Sequence, residues 1–88
     1  MAAYELKVSA SAARALIRLP EAASAAIIEF FTGPLLENPH RVGKPLGLDL
    51  EGYYGARRGA YRIIYRVEEE RVVRVVRIDH RADVYRSR

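Results

Sequence analysis

Apolar and polar residues alternate strictly from Tyr4 to Val8, Tyr-Glu-Leu-Lys-Val, which predicts a short strand with Tyr4, Leu6 and Val8 on its buried side. The period then lengthens. Ser9 or Ser11 can accept from an unpaired backbone N–H and so start a helix, and Ala12, Ala13, Leu16 and Ile17 follow at helical spacing up to Pro20. Pro20-Glu21 suits the first turn of a second helix, whose residues Ala23, Ala26, Ile27, Phe30 and Phe31 form one apolar stripe. Gly33-Pro34 kinks or breaks that helix, and Pro39 closes the segment. His40 to Asp49 carries two glycines and a proline without a period and reads as a loop.

From Leu50 onward the pattern is that of strands: Leu50 to Arg58, a Gly59-Ala60 turn, Tyr61 to Val67, the polar run Glu68-Glu69-Glu70, and Arg71 to Ile78. Two consecutive hairpins make an antiparallel meander. In its middle strand Tyr61, Ile63, Tyr65 and Val67 share the face suited to the helices, while Arg62, Ile64 and Arg66 share the other. Arg62 and Arg66 thus point to the sheet's open side, with side chains on that side spaced ~7 Å apart along the strand. The predicted fold is α+β, an N-terminal strand and a two-helix hairpin packed on an antiparallel sheet, as one domain over residues 1–88.

Half of the 88 residues are apolar, enough to bury a core, and cysteine is absent, so neither a disulfide nor a thiolate metal site can form. The opening residues carry no secretory pattern and no apolar run approaches a membrane span, so the expected location is the cytoplasm. Charge is distributed unevenly. Residues 1–40 hold three basic and four acidic side chains, whereas residues 41–88 hold twelve basic and seven acidic, giving −1 and +5 for a net +4. Thirteen of the fifteen basic residues are arginine, whose planar fork matches phosphate oxygens, so the second half suits a polyanion.

Familiar catalytic motifs are missing: there is no phosphate-binding glycine loop, no HExxH, and only His40 and His80 as imidazoles. No metal or other cofactor is expected, and His40, after Pro39 in the loop, is assigned no role. Phosphodiester chemistry on such a chain would run on side chains alone. RNA allows that, because its 2′-OH can attack the adjacent phosphorus and expel the 5′-oxygen once a base takes the proton, cations meet the added charge and an acid protonates the leaving oxygen. Arg62 and Arg81 can hold the phosphate, His80 titrates near neutrality, and Tyr85 can stack on a base or assist proton transfer. Each also has a purely structural account: a solvated strand face for Arg62 and Arg66, an exposed tail position for His80, a plug at the sheet end for Tyr85.

Leu50-Glu51-Gly52, Ala56 to Tyr65 (Ala-Arg-Arg-Gly-Ala-Tyr-Arg-Ile-Ile-Tyr) and Ile78 to Arg86 (Ile-Asp-His-Arg-Ala-Asp-Val-Tyr-Arg) together resemble the RelE family of bacterial toxin–antitoxin systems. Arg41 to Leu46 is similar to the loop before the sheet in the actinobacterial-type members. The resemblance implies a microbial-RNase-like fold and a toxin that inhibits translation as a metal-independent endoribonuclease, cutting mRNA in the ribosomal A site. It also implies an acidic RelB-like antitoxin as partner, through which alone operator DNA is reached, with no membrane involved. By position, Arg62 and Arg81 would stabilise the transition-state phosphate and Tyr85 would stack on or orient the substrate. Relatives carry a Lys-x-Lys pair where this chain has Tyr53 and Gly55. His80 is therefore expected to take acid/base work, with Arg57, Arg58 and Lys44 replacing the missing charge and Arg66 adding to RNA binding. Two other functions keep the same fold: a ParE-like inhibitor of DNA gyrase, and a catalytically degenerate co-repressor that only binds its antitoxin.

Overall fold

The computed structural model describes residues 4–81. Strand β1 (Glu5–Val8) leads into helices α1 (Ala10–Arg18) and α2 (Glu21–Thr32), the one-turn helices α3 (Pro34–Glu37) and α4 (Pro39–Val42), and the two-residue strand β2 (Lys44–Pro45). A 3₁₀ turn at Leu48–Leu50 precedes β3 (Tyr53–Arg58), β4 (Tyr61–Glu68) and β5 (Val72–His80). All five strands form one sheet in the order β1-β5-β4-β3-β2. The expected α+β class and the meander are present; the sheet is mixed rather than wholly antiparallel, because β1 runs parallel to β5 with Glu5 opposite Val72 and Val8 opposite Val75. Period-2 alternation tells which side of a strand is buried, not which neighbour it meets or in which direction. None of the described helices is long and apolar enough to cross a membrane.

The stretch expected as a loop over 40–49 contains the end of α4 and all of β2, and the first meander strand begins at Tyr53 rather than Leu50. Two residues are too few to carry a period. Lys44 and Pro45 nevertheless pair with Gly55 and Tyr54 at the sheet edge, where a missing proline N–H costs no ladder bond. The β3–β4 hairpin closes on Gly59-Ala60, with φ +60° at Gly59 alone, the pattern of a type II′ turn that needs glycine first.

Helix and sheet meet through Ala12 of α1, Ile27, Phe30 and Phe31 of α2, and Leu35 of α3. Against these pack Ala56 of β3, Ile63 and Tyr65 of β4, and Val73, Val75 and Ile78 of β5. Truncating either phenylalanine to alanine in such a core costs about 3–5 kcal/mol. Ile17, expected on the inner face of α1, is 83% exposed. The helix is rotated so that Ala12, Ala15, Leu16 and Leu19 face inward instead.

One irregularity decides which residues reach the open side of β5. Ile64 lies opposite Arg77 but Tyr65 lies opposite Val75, so Val76 is an extra residue in β5. Strict alternation after Val73 and Val75 would have sent Arg77 into the core; the bulge sends Ile78 there and turns Arg77 and Asp79 outward. Ser9 holds this point from the helix side. Its Oγ accepts from the Ala12 N–H at 3.1 Å, capping α1, and donates to the Val76 carbonyl at 3.0 Å.

Candidate functional site

The open face of the sheet carries most of the described second-half cations, and register sorts them. Arg57 pairs with Arg62 and Arg62 in turn with Asp79 in one cross-strand row, while Lys44 pairs with Gly55 in the next row of the same face. Directly paired side chains have Cβ atoms ~5 Å apart. Lys44, Leu46, Gly55, Arg57 and Arg62 line a groove beside the β2 edge. Among the described residues, Lys44, Arg57 and Arg62 make no salt bridge within 4.0 Å. Three cations lining one groove without a described salt bridge concentrate positive potential there, which favours an anion by Coulomb's law.

The far end of the same face is partly neutralised. Arg66 Nε donates to Glu68 Oε2 at 2.6 Å, Arg74 Nε donates to the same oxygen at 2.8 Å, and Arg66 Nη1 donates to the Tyr53 hydroxyl at 3.1 Å. Donation from Arg74 and Arg66 holds the Glu68 carboxyl below the usual glutamate range, and the Glu68 carboxylate raises the Arg66 guanidinium. Arg66 is therefore on the expected face but engaged internally. Arg77 is likewise bound to Asp79, with Nη2 to Oδ2 at 2.8 Å.

Two expected site residues stand on the other side of the sheet. Arg58 follows Ala56 onto the helix face, where its guanidinium carbon lies 3.8 Å from the Phe30 ring centroid, a cation–π stack that withdraws it from the groove. His80 is the register partner of Tyr61, with ring centroids 5.2 Å apart, so it shares the helix side and not the face of Arg62. The bulge at Val76 produces this result, because it reverses the facing of every residue after it. Arg81 is exposed, and its backbone N–H donates to the Ala60 carbonyl at 2.8 Å, which ties it to the β3–β4 turn two residues from Arg62. Tyr85 lies outside the described residues.

Sequence reasoning missed Asp79, the carboxylate opposite Arg62, whose side chain is 18% exposed. It lay hidden behind an alternation that the bulge resets. It also missed that Gly55 is occupied: a Cβ there would stand 3.2 Å from Arg62 Nε and 3.3 Å from Leu46 Cδ2. His40, given no role, reaches the Tyr54 hydroxyl through Nδ1 at 3.1 Å at the edge of an aromatic cluster with Tyr4 and Tyr65.

A model of the family described as ParE toxin of type II toxin–antitoxin system, parDE, matches residues 6–85. The protein named Toxin RelE of Mycobacterium tuberculosis is 50% identical over 94% of this chain and 87% of its own length. The chain belongs to the RelE family of type II toxin–antitoxin toxins. Toxin RelG of the same organism is 46% identical over 94% of this chain and 97% of its own length. Among solved structures, the toxin–antitoxin complex RelBE2 from M. tuberculosis matches with a TM-score of 0.83 and 44% identity, covering 89% of this chain and 98% of that one. This RelE-family toxin thus shares its α+β architecture, helices on a mixed five-stranded sheet, with a solved relative.

Proposed function

We propose that this toxin is a ribosome-dependent endoribonuclease that cleaves mRNA by attack of a ribose 2′-OH on its own phosphodiester, in the cytoplasm, and is held inactive by an acidic antitoxin. The observation that carries the reading is the groove beside β2 that Lys44, Arg57 and Arg62 line together, where a scissile phosphate would meet cations that make no described salt bridge. Arg62, lying against Gly55, stabilises the pentacoordinate phosphate; Arg57 and Lys44 hold the flanking backbone. Arg81 joins from the chain leaving β5, tied to Ala60, and Tyr85 stacks on or orients the substrate base. Antitoxin binding is supported by the likeness to the RelBE2 toxin–antitoxin complex.

Two groups at the β5 end compete for proton transfer: Asp79, which shares the face of Arg62, and His80, which does not. The test is induction of the toxin with primer-extension mapping of ribosome-bound mRNA, run on Arg62→Ala, Asp79→Asn and His80→Gln. Arg62→Ala is expected to lose about 10²–10³-fold in cleavage rate. A loss confined to Asp79→Asn assigns the proton to the carboxylate; a loss confined to His80→Gln restores the imidazole. Unchanged cleavage in Arg62→Ala sinks the nuclease reading.

The family model bears the ParE name, and this favours one second reading, a gyrase inhibitor on the same scaffold. DNA breaks on induction, with intact mRNA, would select it.

A further inference from the structure

Arg62 stands directly opposite Arg57, and two guanidiniums in that relation repel. The open-face positions of β3 are Tyr53, Gly55 and Arg57, so the diagonal neighbour of Arg62 away from Arg57 is the one with no side chain. Arg62 leans there. A Cβ built on Gly55 would meet Arg62 Nε at 3.2 Å and Nη2 at 3.5 Å, with Leu46 Cδ2 closing the other side at 3.3 Å. The guanidinium therefore lies over bare backbone, bounded by a leucine, on the floor of the groove.

Resting on the nuclease reading above, we propose that Gly55 is a positioning residue of the site: its missing side chain is the seat that fixes the Arg62 guanidinium at the groove floor. An arginine on an open strand face ordinarily samples many rotamers, and fixing one in advance lowers the ordering needed when the transition state forms. Gly55 has no left-handed backbone to require glycine; what glycine provides at this position is the space that Arg62 and Leu46 occupy.

The test compares wild type with Gly55→Ala, Gly55→Lys and Arg62→Ala, assayed as full chains by single-turnover cleavage of mRNA on programmed ribosomes, with thermal melts alongside. A methyl group at 3.2 Å forces Arg62 to shift by a few tenths of an ångström, and Gly55→Ala should lose about 3–10-fold in the maximal rate with KM within twofold. Melting should stay level or rise, since alanine costs less backbone entropy than glycine in a strand. Gly55→Lys adds a cation yet displaces Arg62 altogether, and should lose more rate than Gly55→Ala while binding RNA as tightly as wild type or tighter. If the site needs only charge, Gly55→Lys will cleave at the wild-type rate or faster, and the inference is overturned. It is equally overturned if Gly55→Ala keeps its full rate. An Arg62→Ala variant that still cleaves removes the nuclease reading itself, a result distinct from both.

Discussion

Arg57 and Arg62 face each other across β3 and β4, two guanidiniums in direct register with no described salt bridge to either. A like-charge pair directly opposite on one face is destabilising, by an amount on the order of the ~0.2–1 kcal/mol that favourable cross-strand pairs contribute. Arg57→Gln should therefore raise the urea midpoint by a corresponding amount. It should also weaken single-stranded RNA binding and flatten the salt dependence of log K by about 0.7, the share of one phosphate contact. If stability and RNA affinity both stay level, the pair is a solvated strand face and nothing more.

Ser9 links the helix layer to the open face through one oxygen. Its Oγ caps α1 and also satisfies the carbonyl of the bulged Val76, so Ser9→Ala removes both interactions. The expected loss is about 2 kcal/mol by urea denaturation, the sum of a lost cap and a partly buried acceptor left unmet. Ser9→Asp separates the two: it keeps the cap but cannot donate to the carbonyl, and should recover only part of the loss. Full recovery would show that the bulge does not depend on this bond.

How far the fold and the site could be read from sequence follows from the same bulge. The helices, the meander and the outward Arg62 rest on local periodicity and turn chemistry, and these came through: Gly59-Ala60 makes the turn, and Ile27, Phe30 and Phe31 fill the core. Asp79 and His80 could not be placed, because one unpaired residue at Val76 exchanges the faces of everything after it and leaves no mark in composition. Arg58 illustrates a second limit. Alternation from Ala56 put it on the helix side all along, but its charge suggested RNA, whereas the Phe30 ring supplies a partner of another kind. The parallel contact of β1 with β5 spans more than sixty residues and is set by global packing alone.

Tyr65 is fully buried, and its hydroxyl donates to the Pro39 carbonyl at 2.6 Å. Gly43 leaves room for that hydroxyl, since a Cβ there would land on it. Burial first, and the neighbouring Tyr54 second, push the phenol up to about 12 from its ordinary value of 10.0. A raised folded value means that the stabilisation is complete below pH 10 and lost as pH rises from 10 towards 12, where the unfolded chain ionises and the folded one resists. Tyr65→Phe should cost about 1–2 kcal/mol at pH 8, and its deficit should shrink as pH climbs through that window. Urea midpoints of both proteins at pH 8 and pH 11 would show the convergence; a constant gap would contradict it.

Glu68 offers the opposite sign. Its carboxyl, held down by Arg74 and then Arg66, stabilises the fold above the ordinary glutamate value of about 4.3, and that contribution fades as pH falls through the lower folded value. Glu68→Gln should melt below wild type at pH 7, and the two should converge in strong acid. The same substitution strips Arg66 and Arg74 of their shared carboxylate and extends the unneutralised strip along the whole open face. RNA affinity should then rise, with a salt dependence steeper by up to about 1.4, two further phosphate contacts at 0.7 each. Cleavage should not rise with it, because the added charge lies towards Tyr53 and away from Arg62. A Glu68→Gln toxin that bound RNA no better would mean that the strand end beyond Tyr53 never meets the polyanion, which would confine the interface to the β2 groove.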